Sequence, residues 1–174
     1  MAPAKRKQSR WKPGTVYAVP LTDGSFGVAQ AGEAQGEFIN VIYVALFADR
    51  YTHIPDELPA LKRDSAVSLA ATWRQALNRG EWPALGVARE IFKKSEFPNE
   101  RYARKGYVGA KNYDAGLLAD FLSAFHGLLP WNVMHDPAYY DQLLRPGLAR
   151  PHSARILNEH ERDTYRREGL KIGA

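Results

Sequence analysis

The chain has no cysteine. That excludes disulfides, thiolate metal sites and thiol nucleophiles, and it suits a reducing, cytoplasmic compartment. Long apolar runs are missing as well. A membrane-crossing helix needs roughly 18 consecutive apolar residues, and no stretch approaches that. The first residues, Met1-Ala2-Pro3-Ala4-Lys5-Arg6-Lys7, are basic but lead into no apolar segment, so no secretory signal is expected there.

Catalytic and metal-binding signatures are missing too. The five histidines (His53, His126, His135, His152, His160) show no pair at i, i+3 or i, i+4. His160-Glu161 is not followed by a second histidine, so the zinc-protease pattern fails. In Gly24-Ser25-Phe26-Gly27 the serine is out of register for a nucleophile elbow. Gly106-Tyr107-Val108-Gly109-Ala110-Lys111 has the wrong spacing for a phosphate-binding loop. Carboxylates are scattered, with no regularly spaced pair for acid–base work. The residues therefore point to a binding protein with no catalytic, metal or cofactor residues. A hydrolase with a dispersed site built on His53 or His135 is the enzymatic alternative; His126, at the end of an apolar helix, reads as structural.

What is present is a β-rich opening. Residues 14–21 (Gly-Thr-Val-Tyr-Ala-Val-Pro-Leu) and residues 25–29 (Ser-Phe-Gly-Val-Ala) flank Thr22-Asp23-Gly24. Asp-Gly between β-prone runs is a hairpin signal, because glycine takes the left-handed conformation at no steric cost. Val16, Ala18 and Pro20 fall on one face, and Tyr17, Val19 and Leu21 on the other. Pro20 predicts an edge strand or a bulge. Gly27 and Ala29 leave room for a close neighbour on one face of the second strand. After a breaker at 32–36, residues 38–47 are almost wholly apolar, as a strand covered on both faces would be. Three strands with short links predict an antiparallel meander.

At 174 residues the chain suits one domain with its own core. Residues 1–12 read as a disordered basic arm, residues 13–150 as one α+β domain, and residues 151–174 as a charged tail with helical potential. Residues 48–64 form a long loop. Residues 65–80 read as a strand entering a short helix closed by Gly80, and residues 82–88 as a strand returning to the sheet. Residues 114–127 are the clearest helix. Asp114 stands at its start, Leu117, Leu118, Phe121, Leu122 and Phe125 form its apolar face, and Gly127 ends it. Asp136-Pro137 starts a second helix with Tyr140, Leu143 and Leu144 facing inward. The expected architecture is α+β: an antiparallel, bent meander sheet, with SH3-like curvature as one form it can take, and two packed helices.

The net charge of +5 is unevenly spread. Residues 1–12 hold five bases and no acid; residues 13–88 hold five bases and eight acids; residues 89–111 hold seven bases and three acids. The β-rich front is thus mildly acidic despite the basic whole. Residues 89–112 interleave Phe92, Phe97, Tyr102 and Tyr107 with Lys93, Lys94, Arg101, Arg104, Lys105 and Lys111. Aromatics can stack on unpaired bases while cations follow phosphates, so an RNA-binding module using this segment is one reading. The other is a loop whose aromatics cover the core while its lysines stay wet.

Residues 14–27, followed later by Gly80-Glu81-Trp82-Pro83-Ala84-Leu85-Gly86, resemble the immunity protein 26 family of bacterial polymorphic toxin systems. Members open with Gly-Asp-Val-aromatic-x-Ile-Pro-Leu, then Asp-Gly and an aromatic strand, and carry a later Trp-Pro-x-aliphatic-Gly strand. The likeness covers roughly residues 11–88, and Thr15 stands where the family has aspartate. It implies an intracellular antidote, made beside a toxin such as a contact-dependent-inhibition nuclease and protecting the producer by stoichiometric binding. The implied partner is the toxin's C-terminal domain, and no membrane is involved. A nuclease site is electropositive, so Asp49, Asp56, Glu57 and Asp64 are candidate partner-binding residues. Tyr139 and Tyr140 are candidate interface anchors, with Tyr139 the outward-facing one.

Overall fold

The computed structural model describes residues 10–37 and 40–169. Its centre is a five-stranded antiparallel sheet made of β1 (Thr15–Pro20), β2 (Phe26–Ala34), β3 (Val41–Tyr51), β4 (Ala66–Trp73) and β5 (Ala84–Val87). The spatial order is β4-β3-β2-β1-β5. The first four strands form a meander, and the last returns beside the first. No ladder joins β4 to β5, so the sheet is open. Among the described residues three α-helices accompany it: α1 (Arg74–Asn78), α2 (Ala115–Phe125) and α3 (Glu159–Glu168). The domain is α+β, as expected.

The Asp-Gly hairpin forms as the sequence indicates. Gly24 has φ +83°, the Asp23 carboxylate accepts from the Ser25 N–H at 3.0 Å, and the Leu21 N–H donates to the Ser25 carbonyl at 2.8 Å. Strand β2 runs to Ala34, beyond the expected end at residue 29, because the Gly32 region still pairs across to β3. Strand β3 continues to Tyr51, past its expected end at residue 47; residues 38–39 of its expected range lie outside the described residues. The long connection therefore starts at residue 52. Pro20 does not mark an edge: β1 is an inner strand, but β5 pairs only with Thr15 to Tyr17 and never meets Pro20. A proline at the free end of a strand costs no ladder bond.

Both faces of the sheet are covered. Tyr17, Val19, Ile42, Val44 and Leu46 join Leu118, Phe121 and Leu122 of α2 in one core. Val16, Val28, Tyr43, Ala45 and Phe47 join Phe92 and Phe97 in the other. Strand β3 thus puts alternate residues into two cores, which is why it reads as one continuous apolar run. Residues 66–78 are a strand entering a short helix, with Gly80 at φ +76° just beyond. Asp114 stands at the start of α2 without a capping hydrogen bond from its side chain. The expected second helix is a 3-10 turn, Tyr139–Leu143.

The ends differ from expectation. Residues 1–9 and 170–174 lie outside the described residues. Trp11, placed in the arm by its sequence position, packs against the first core, and its backbone N–H donates to the Asn78 side-chain oxygen at 3.0 Å. Residues 151–169 dock on the domain rather than trailing from it. The Asn132 amide donates to the Leu157 carbonyl at 2.8 Å and its oxygen accepts from the Leu157 N–H at 2.9 Å. Arg162 of α3 donates to the Asn132 carbonyl at 2.7 Å. Asn158 and Glu161 form a reciprocal capping box that starts α3.

Candidate docking surfaces

Two surfaces have the chemistry of docking sites. The first is the connection from β3 to β4. Pro59 is buried, Leu61 packs against the second core, and Leu58 reaches Gly86 of β5, where an added β-carbon would lie 3.2 Å from Leu58 Cδ1. The connection is therefore anchored at its centre. Asp56, Glu57 and Asp64 are exposed on it. None belongs to the three ion pairs found among the described residues, which are Arg50–Asp23, Arg63–Glu96 and Arg150–Asp141. Arg63, beside Asp64, is occupied by Glu96 and lies 4.5 Å over the Phe92 ring. Lys62 is the other base of this connection and is exposed. Three carboxylates are thus presented with little local compensation.

The remaining candidates are placed differently. Asp49 lies in β3 at an irregularity of its pairing with β2, between Phe47 and Arg50, half-buried and with Oδ2 unpartnered. Tyr140 is only 2 % exposed and meets the rings of Phe121 and Trp131 edge-on at 5.8 and 5.7 Å. It is a core residue, so the structure does not present it to a partner. Tyr139 is half-buried with its ring against Tyr140. His53 and His135 are exposed, and His126 is half-buried. Among the described residues no group of three or more histidine, aspartate or glutamate side chains could hold a metal ion.

The second surface is a cleft of about 280 Å³ beside β4, between the 98–111 segment and Gln142-Leu143. Pro98–Lys105 is a 3-10 helix that starts on a proline and ends at Gly106 in the left-handed conformation. Glu100 pins it to the sheet by accepting from the Tyr43 hydroxyl at 2.7 Å and the Tyr107 hydroxyl at 3.0 Å. Burial first, then this carboxylate, pushes both phenols above their ordinary pKa. Asn99 is buried and donates to Gln35 at 2.8 Å and to the Lys111 carbonyl at 3.0 Å, fixing the far wall. The floor is apolar, with Tyr43 stacked on Phe97 at 4.7 Å and Leu69, Ala70 and Leu143 beside them.

Two cations line this cleft. Arg101 donates to the Tyr102 hydroxyl at 2.8 Å and lies 4.7 Å over its ring. Lys111 donates to the Gln142 side-chain oxygen at 2.9 Å. Both are oriented by neutral groups, and among the described residues neither is in an ion pair. The nearest acid in the chain of contacts is Asp136, which accepts from the other end of Gln142 at 3.2 Å. The sequence marked segment 89–111 as basic and aromatic. Phe92 and Phe97 are nevertheless in the core, and the Tyr102 ring carries Arg101. Gln142 and Leu69 were missed, because nothing local in the sequence says that they meet Lys111.

The fold and these two surfaces describe a compact α+β domain with oppositely charged exposed features. No helix among the described residues is long and apolar enough to cross a membrane. No family model matches the sequence, and neither a curated protein nor a solved structure matches it.

Proposed function

We propose that this chain is an antidote that binds and occludes a basic toxin domain of the kind a nuclease presents, acting by stoichiometric binding rather than by chemistry. The observation that carries the reading is the set of three exposed, unpaired carboxylates, Asp56, Glu57 and Asp64, on one anchored connection. A toxin that holds phosphates must be electropositive at its active site. Opposed carboxylates on an ordered loop speed encounter and select against wrong partners. The family likeness of the hairpin and the Trp-Pro strand supports the same reading, which places the chain in the cytoplasm. Asp49 and Tyr139, both half-buried, are secondary candidates for the same contact.

Cells that express this chain should survive the toxin domain encoded beside it. The two proteins should copurify one to one from nuclease-treated lysate. Full sensitivity of the expressing cells overturns the proposal. So does recovery of RNA, lost on nuclease treatment and at high salt, in place of a protein partner.

A further inference from the structure

Strand β4 is an edge of the sheet, and its outer side is only partly covered. The Ala71 carbonyl accepts from the Tyr113 N–H at 2.8 Å, and the Val67 carbonyl accepts from the Arg145 N–H at 2.7 Å. Residues 67 and 71 therefore point their backbone polar groups away from β3. Leu69 lies between them in the same phase, so its N–H and C=O also point outward. Among the described residues Leu69 makes no backbone hydrogen bond to a segment outside the sheet. Leu69 also lines the cleft that holds Arg101 and Lys111.

The gap is short. Four residues of strand span about 13 Å at ~3.3 Å per residue, and the chain's own backbone closes both ends through Tyr113 and Arg145. A strand running straight through would have to displace one of these bonds. The end of a strand would not. An unpaired strand edge recruits extended backbone, and a chain end brings a carboxylate with it. Arg101 and Lys111 supply two positive charges with no carboxylate on either. The floor of Tyr43, Phe97, Leu69 and Leu143 suits an apolar last side chain. A nucleic acid finds less here: Phe97 is stacked on Tyr43 and one Tyr102 face is covered by Arg101, which leaves half-buried Tyr113 as the remaining ring of the lining, whereas stacking a strand of bases takes successive open rings.

We propose that the gap in the β4 edge at Leu69, together with Arg101 and Lys111, is a docking slot for the C-terminal end of an extended polypeptide. Backbone pairing to Leu69 holds the strand, the two cations hold the terminal carboxylate, and the apolar floor selects the last side chain. This slot is separate from the acidic connection and does not depend on the antidote reading.

The probe is a library of random hexapeptides with free C-termini, screened against the whole chain, with each binder remade as its C-terminal amide. The slot predicts binders with an apolar last residue that lose at least tenfold in affinity on amidation. They should lose as much against the R101E/K111E variant, whose melting temperature should match the parent because both side chains sit at the surface. Hydrogen exchange of the Leu69 amide should slow when peptide is bound. An empty screen overturns the proposal, as does equal binding of acid and amide or full binding by the double variant. Binding of oligouridylate that Arg101 and Lys111 control, with no peptide bound, overturns it as well.

Discussion

An added β-carbon on Gly27 would lie 2.9 Å from Leu122 Cδ1. Gly27 is on β2 and Leu122 is on the inner face of α2, fully buried. The missing side chain of one is the seat of the other, and it sets how closely α2 approaches the sheet.

Gly27→Val should therefore destabilise the fold by about 1–3 kcal/mol, the usual cost of overpacking. Leu122→Ala alone opens a cavity and costs about 2–5 kcal/mol. The double variant should be more stable than the sum of the two losses implies, because the valine fills part of the space that leucine leaves. Urea denaturation of the four proteins gives the coupling; strict additivity would refute the contact.

Asn132 and Leu157 exchange two hydrogen bonds inside the protein. Asn132→Ala leaves the buried Leu157 N–H and C=O without partners, at about 1–3 kcal/mol for each orphaned group. The variant should unfold at lower denaturant and expose α3 to proteolysis first. Unchanged protease resistance of residues 151–169 would mean that Asn132 is not what holds them.

His126 should make stability fall with acid. Burial lowers its pKa, the Arg50 cation lowers it further, and Asp23 opposes both. Its Nε2 is buried with no hydrogen-bond partner. The folded state thus prefers the neutral ring, while the unfolded chain takes up a proton near pH ~6.5. Stability from this group is full above that value and declines as pH falls through and below it. The melting temperature of the parent should drop more between pH ~7.5 and ~5.5 than that of His126→Gln. Parallel curves would exclude His126 as the source.

Tyr139 and Tyr140 are adjacent in sequence and should behave oppositely. Tyr140→Ala removes a ring packed against Phe121 and Trp131, and should cost about 3–5 kcal/mol as other large aromatic truncations do. Tyr139→Ala, at a half-buried position, should cost far less. Thermal melts separate the two, and equal losses would contradict the packing.

Much of the domain is legible along the chain. Asp23-Gly24 makes its hairpin from local geometry alone. The alternation of Val16 with Tyr17 assigns each to the correct side of the sheet. The unbroken apolar run from Val41 to Phe47 announces two covered faces, and α2 shows itself by its stripe and its closing Gly127. Boundaries were less readable. Pairing with β3, not propensity, carries β2 through Gly32, and Pro20 is tolerated because β5 stops short of it. Residues 158–168 show helical potential without an apolar stripe, and α3 forms there; what the sequence does not show is that they dock on this domain through backbone carbonyls at Asn132 and Met134, which leave no mark in hydropathy.

The candidate surfaces divide in the same way. Asp56, Glu57 and Asp64 are exposed because carboxylates stay solvated unless paired, and the sequence alone determined that; that Pro59 and Leu61 of the same connection turn inward was not legible. The burial of Tyr140, the occupation of Phe92 and Phe97 by the second core, and the meeting of Leu69, Arg101, Lys111 and Gln142 were decided only by the tertiary structure. The reason is physical. Local periodicity encodes which face of an element is apolar, whereas a cleft is made by elements distant in the chain, and its position depends on how both cores pack.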